Sequence, residues 1–253
     1  MTAQIQDQFI YNGTVFCISG ISYSDDSLSC SISTTLQPKL KIRDIYPNAP
    51  FSPLDLGLKP AIATTACWRG YQAFFNITKS NLVLENLFIK LIGEDADGYR
   101  PEKGPTINGI KPIMKIKGFS DFNNHYYEVN YHTKYTGGLI LTSNEIDEPK
   151  FPFNLIYNPA WNYQKVIELI FVKGLLINEF DHSERMNEIQ EMSMHYFNDH
   201  DEIDQSVFKE EIDNLVNSSF TCLYHNTSHG GWGDNRPTKH DITIKLPSYR
   251  TSE

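Results

Sequence analysis

The sequence is short of basic charge, of paired cysteines and of long apolar runs, and each shortage excludes something. Of its 253 residues, 31 are acidic and 22 basic, a net charge of −9. A nucleic-acid partner needs a basic surface to meet its phosphates, so none is expected. No apolar run approaches the roughly 20 residues of a membrane-spanning helix. Mean hydropathy is −0.40, and a membrane role is not expected either. The stretch Met1–Gln8 has neither the basic segment nor the apolar core of a signal peptide, which makes the cytoplasm the expected location. Four cysteines, Cys17, Cys30, Cys67 and Cys222, are widely spaced and include no C-x-x-C pair. That spacing argues against a structural zinc site and against a disulfide framework. The Walker A sequence, the dinucleotide-binding glycine pattern, the G-x-S-x-G elbow and the protein-kinase set are all missing. Nothing in the sequence calls for a cofactor.

What is present points to strands. Fourteen Tyr and 15 Phe favour pleated sheet over helix. From Tyr126 to Tyr135 the residues alternate, with Tyr127, Val129, Tyr131 and Tyr135 on one face and Glu128, Asn130, His132 and Lys134 on the other. Asn12-Gly13 between Phe9-Ile10-Tyr11 and Thr14–Ile18 is a strong hairpin signal. Lys79-Ser80-Asn81 and Lys173-Gly174 separate further strand pairs. In the longest of these, Leu82 to Ile92, Val83, Leu87, Ile89 and Leu91 are expected to share one face. Pro38, Pro47, Pro50 and Pro53 punctuate a long loop or insertion over residues 22–53, with one short strand at Leu40–Ile45. Residues 93–118 and 148–161 read as irregular connections. The spacing therefore predicts an α+β fold. Its body is a mostly antiparallel β-sheet domain spanning residues 1–253, and its C-terminal part carries an acidic two-helix element over residues 181–217.

The charge is confined to that element. Between Asp181 and Asp213 there are eleven acidic residues against Arg185 and Lys209, while the rest of the chain holds twenty of each sign. Asp181 or Ser183 is placed to cap a first helix, with Met186, Ile189, Tyr196 and Phe197 as its apolar stripe. Asp204 or Ser206 is placed to cap a second, with Phe208, Ile212, Leu215 and Val216. Opposite these stripes, Glu184, Glu188, Glu191, Asp199, Glu210 and Glu211 form a candidate binding face. Charge so segregated steers a partner of opposite sign. The expected function is a protein-binding module, of the inhibitor or immunity type, that masks a basic protein partner such as a toxin. The sequence leaves the oligomeric state open.

An enzyme is the alternative. Arg69 in Cys67-Trp68-Arg69-Gly70-Tyr71 is of a type that binds carboxylate or phosphate and lowers the pKa of a neighbouring thiol. His125 and His132 are candidate general acid–base groups on the polar side of the central strands. Together the three would make a pocket of hydrolase or transferase type. The other reading gives Cys67 as a buried thiol, Arg69 as a stacked cation and the histidines as the solvated side of a sheet. His225, His229 and His240, near Asp234 and Asp241, are of metal-ligating type. Their context, Asn226-Thr227-Ser228 followed by Gly230-Gly231-Trp232-Gly233, is a poor helix, so they read as polar loop residues and no metal site is expected. The run Leu58-Lys59-Pro60, Thr65 to Tyr71, Asn123-Asn124-His125-Tyr126 and Tyr135-Thr136-Gly137-Gly138-Leu139 resembles a set of uncharacterised bacterial proteins. That resemblance covers the middle of the chain and implies no activity and no site residue.

Overall fold

The computed structural model describes residues 5–22, 49–95, 98–115, 122–146, 160–199, 212, 214–216, 218–222 and 224–226. The hairpin signals of the sequence are its framework. β1 (Gln8–Tyr11) and β2 (Thr14–Ser22) flank Asn12 and Gly13, β3 (Tyr71–Thr78) and β4 (Asn81–Ile89) flank Lys79 and Ser80, and a third pair flanks Lys173 and Gly174. All six of these turn residues have positive φ. Two consecutive left-handed residues make the type I′ turn, whose twist matches that of the strands it joins. After β4 come a small hairpin, β5 (Ile92–Asp95) with β6 (Gly98–Pro101), and the short strands β7 (Ile113–Met114), β8 (Asn124–Tyr126) and β9 (Tyr131–His132). The long β10 (Gly137–Glu145), β11 (Tyr163–Val172) and β12 (Leu175–Asp181) follow, then helix α1 (Ser183–Asp199) and β13 (Tyr224–Asn226).

The main sheet runs β12-β11-β10-β2-β1-β3-β4, and β12 also pairs with β4, so seven strands close into a barrel. Every pairing is antiparallel except β1 with β3, which is parallel. Closure is made at the hairpin corners. Leu82 N–H donates to Gly174 O (2.7 Å), Gly174 N–H to Tyr135 O (2.7 Å) and Leu176 N–H to Ser80 O (2.8 Å). Gly174 is required there: its φ is +84°, and a Cβ would run into the Thr133 carbonyl.

The interior is packed side chain against side chain. Phe9, Phe75, Leu84, Leu139, Leu169 and Phe171 belong to one buried cluster with essentially no exposure. Large apolar side chains of this kind contribute about 1.5–3 kcal/mol each when fully buried. The end of the 22–53 stretch belongs to this core. Phe51 makes edge contacts with Tyr71 (6.3 Å) and Tyr131 (6.1 Å), just before a short 3-10 turn at Pro53–Leu56. Residues 23–48, with the expected strand at Leu40–Ile45, lie outside the described residues, as do 147–159 of the second connection.

Two expectations about strands need correction. The run Tyr126–Tyr135 is not one strand. β8 and β9 both pair with β4, yet five steps from Tyr126 to Tyr131 span only three steps of β4, from Leu87 to Leu84. The surplus bulges out through left-handed Glu128 and Asn130. The faces change accordingly: Tyr126 is fully buried and Tyr127 is 39% exposed. Similarly, Glu85 is an extra residue in β4 opposite the Phe74–Phe75 step. It puts Leu82 and Leu84, rather than Val83, in the barrel cluster with Leu87 and Ile89. The stretch after residue 93 also contains strands β5, β6 and β7 that its glycines and prolines concealed.

α1 lies against the outer wall. Its Met186 and Ile189 are fully buried on Ile140 of β10, Val166 of β11 and Trp161 in the short turn Ala160–Asn162. Ile212 packs into the same cluster, and residues 212, 214–216 and 218–219 are helical. Among the described residues no helix is long and apolar enough to cross a membrane.

Candidate functional site

Arg69, His125 and His132 occupy three separate places. Arg69 lies just ahead of β3 and reaches toward β1. Its guanidinium makes a bidentate pair with Asp7 (2.7 and 2.9 Å), and it also donates to Tyr71 O (3.0 Å) and Ile5 O (3.1 Å). The guanidinium carbon also sits 4.8 Å from the Tyr71 ring centre. Asp7 accepts from the Ala73 amide as well (2.6 Å). Burial pushes the Asp7 carboxyl up, against the pull of Arg69 and of that amide. The thiol of Cys67 is likewise pushed up by burial, although Arg69 and backbone amides oppose the shift. Arg69 therefore does not make Cys67 a thiolate.

His125 belongs to β8, on the far side of β3 and β4 from β1. Two strand spacings of about 4.8 Å separate β8 from β3, ahead of which Arg69 lies, and three separate it from the Asp7 end of β1, roughly 10–14 Å along the sheet. His125 is buried, its Nε2 lies 3.1 Å from Phe122 O, and its ring packs on Phe88 (4.3 Å). Burial lowers its pKa. His132 is exposed, and it is aligned with Val83 while His125 is aligned with Phe88. Five residues of β4, the bulged Glu85 among them, separate the two positions, roughly 13–16 Å of strand. The structure does not bring the three residues into one pocket. The neighbouring Asn123 and Asn124 have a structural part. Asn123 bonds both main-chain groups of Leu91 (2.9 and 2.7 Å), and Asn124 bonds Gly104 N and Glu102 O (2.8 Å each). They hold Leu91, Glu102 and Gly104, the residues on either side of the β5–β6 hairpin.

The acidic candidates on α1 do share a face. Glu184, Glu188 and Glu191 are exposed on the side opposite Met186 and Ile189. Arg185 bonds Glu188 (2.8 Å), and Asn187 bonds Glu191 (3.1 Å). At the helix entrance, Asp181 accepts from the Ser183 amide (3.0 Å) and pairs with Lys165. Burial works to raise the Asp181 carboxyl, but the hydrogen bonds from Lys165 and Ser183 together bring it down to about 2. Asp199 ends the helix. Its side chain, with Glu210 and Glu211, lies outside the described residues. So do His229, His240 and the His225 side chain. Among the described residues no three His, Cys, Asp or Glu side chains gather as metal ligands would.

A further centre stands out in the structure and was not singled out in the sequence. Glu168, in the middle of β11, points outward and is fully enclosed. It receives the Tyr224 hydroxyl (2.5 Å), the amides of Thr221 (2.8 Å) and Cys222 (3.3 Å), and His182 Nε2 at 3.0 Å. Burial favours the protonated acid, but the donors from His182, Tyr224 and Thr221 outweigh it, and the pKa lies below the ordinary value. Gly138 makes room for the Tyr224 hydroxyl, since a Cβ there would collide with it. The signal was legible in principle: Glu168 is the one charged residue in the apolar run Val166–Val172. Its donors saturate the carboxylate, so it anchors rather than reacts. It ties His182 at the entrance of α1, and Thr221, Cys222 and Tyr224, to the barrel wall.

The chain matches no known family model, no curated protein and no solved structure.

Proposed function

We propose that the protein is a binding module for a basic protein, of the inhibitor or immunity type, docking it on the acidic two-helix element at residues 181–217. The observation that carries this is the arrangement of α1. Its apolar side is used up against the barrel, and Glu184, Glu188 and Glu191 stand exposed on the other side. Arg185 bonds Glu188 alone among them. A packed barrel interior supports the same reading, because it offers a scaffold and leaves the chemistry to the outer surface. Like charges on one helix face repel by a few tenths of a kcal/mol per i,i+4 pair, and a partner of opposite charge turns that repulsion into attraction. Electrostatic attraction of this kind raises association rates by roughly 10 to 1,000-fold at low salt.

The test is charge reversal. Glu184→Lys, Glu188→Lys and Glu191→Lys together leave the barrel's melting temperature in place and weaken the binding of a basic partner by at least roughly tenfold. The partner's on-rate on the unaltered protein falls steeply with added salt. Equal binding by the reversed variant, or binding indifferent to salt, rules the acidic face out as the interface.

A further inference from the structure

Among the described residues the barrel closes at one end of β12, and the rest of that strand is an edge paired on one side. β12 meets β4 at Leu175 opposite Asn81, and Leu176 bonds Ser80. Beyond that corner the two strands run apart. β4 goes on to pair with β9 and β8, while Ile177–Asp181 pairs with β11 alone among the described residues. Which backbone groups are open follows from the register. His182 N–H donates to Val166 O (2.9 Å). Antiparallel pairs alternate, so Phe180 and Asn178 also turn their backbone groups to β11, and Glu179 and Asp181 turn theirs outward.

The side chains along this edge are of two kinds. Leu175, Ile177 and Phe180 are 48%, 52% and 37% exposed. Among them stand Glu179, which receives the Tyr11 hydroxyl (2.6 Å), and Asp181, paired with Lys165. Glu184 begins the acidic face of α1 directly beyond. Exposed edges invite pairing, and proteins discourage it with short strands, bulges and charge. This edge is short, bulged at Ile177 and acidic. Those devices oppose a second copy of the chain, since two such edges would bring like carboxylates face to face. They do not oppose a strand of the other sign.

We infer that the open edge of β12 accepts an extended basic segment of a partner protein as an added strand. This rests on the docking reading above and adds the mode of binding. The incoming backbone pairs with the N–H and C=O of Glu179 and Asp181. Its apolar residues cover Ile177 and Phe180, and its lysines or arginines meet Glu179, Asp181 and Glu184. Main-chain bonds supply affinity and alternate side chains supply selectivity, as in other strand-addition complexes.

The probe is a capped, fluorescent peptide of alternating lysine and valine, titrated against the full chain. A second peptide of the same sequence carries N-methyl groups on alternate amides along one edge, and a third carries them along the other. The unmethylated peptide binds, and one of the two methylated forms loses at least roughly tenfold in affinity, because it keeps its charge but cannot pair. Glu179→Pro removes an outward N–H that the barrel does not use, a position where an edge strand tolerates proline. It weakens the unmethylated peptide more than Glu179→Gln, which removes only the charge. Equal binding of all three peptides overturns strand addition while leaving the acidic docking face standing. No binding of any peptide overturns it as well, and the charge-reversal test then judges the docking face separately. A concentration-dependent dimer in sedimentation that the peptide dissociates would make a second copy the occupant and overturn the assignment to a basic partner.

Discussion

Glu168 and Tyr224 are joined by a 2.5 Å hydrogen bond on the outer wall of the barrel, with no part of Glu168 exposed. Fifty-six residues apart in sequence, they connect the barrel to the segment that follows the acidic element. A buried carboxylate is tolerated only when its acceptor positions are filled. Here His182, Thr221, Cys222 and Tyr224 fill them.

Replacing Glu168 by Gln keeps the size and removes the charge those donors face. The expected loss at neutral pH is about 3 kcal/mol, the range for breaking a buried charged network. The pH dependence has a definite sign. The folded pKa lies below the ordinary 4.5, so the stabilisation is complete above that value and fades as the pH falls through the lower, folded one. The gap between the wild type and Glu168→Gln therefore narrows below about pH 4.5. Urea denaturation of both proteins across that range checks it. A gap that does not change with pH would show that the stabilisation does not depend on the ionisation of Glu168.

Gly174 carries the barrel's closure. In Gly174→Ala the side chain must adopt a φ near +84° and meets the Thr133 carbonyl. The backbone conformation alone costs about 1–2 kcal/mol, and the collision adds to it. The expected total exceeds about 2 kcal/mol, against about 1–2 kcal/mol for Gly13→Ala, which has the same left-handed backbone (φ +77°) but nothing near the added carbon. Amide exchange should quicken at Leu82, Gly174 and Leu176, the residues whose N–H groups make the closure.

Local chemistry was legible in the sequence, and distant pairing was not. The pairs Asn12-Gly13, Lys79-Ser80 and Lys173-Gly174 announce turns because few residues enter left-handed conformations without cost. The hairpins they predict are all present. The apolar stripe of α1 was readable as far as Met186 and Ile189. The parallel pairing of β1 with β3, which turns a set of hairpins into a barrel, joins Phe9 to Phe75 across a long stretch of chain, and no local pattern encodes it. The break at Glu128 and Asn130 was hidden because the residues alternate straight through it. His125 looked available because sequence alone cannot show that it is buried and packs on Phe88. Glu168 was overlooked because its meaning lies in donors more than fifty residues away.

Helix α1 separates a structural face from a charged one, and substitutions should divide the same way. Ile189→Ala empties a fully buried position against the barrel wall and costs about 2–5 kcal/mol. Because α1 packs outside the main core, the loss should show first as faster amide exchange within residues 183–199, with β3 and β4 still protected. Glu188→Lys, one residue away and exposed, should change stability by less than about 0.5 kcal/mol. If both substitutions had equal effects, the helix would not lie on the barrel as described.

Arg69 and His132 are the clearest pair for separating structure from chemistry. Arg69 is held by Asp7, Tyr71 and Ile5, and Arg69→Met leaves the Asp7 carboxylate enclosed without its partner. The expected loss at neutral pH is about 3–5 kcal/mol. Burial already raises the Asp7 pKa in the presence of Arg69, and without it the pKa rises further. A raised carboxylate pKa favours the fold at low pH and disfavours it as the pH climbs. The deficit of Arg69→Met must then shrink on acidification, and Asp7→Asn combined with Arg69→Met must cost less than the two single losses added together. Arg69→Lys recovers little, because an ammonium cannot make the bidentate pair. His132→Ala removes an exposed ring and should leave the melting temperature almost unchanged. A catalytic role for Arg69 would require the reverse pattern, with the fold unchanged and a reaction lost. Thermal melts of the five variants, Asp7→Asn alone among them, at neutral and acidic pH distinguish the two.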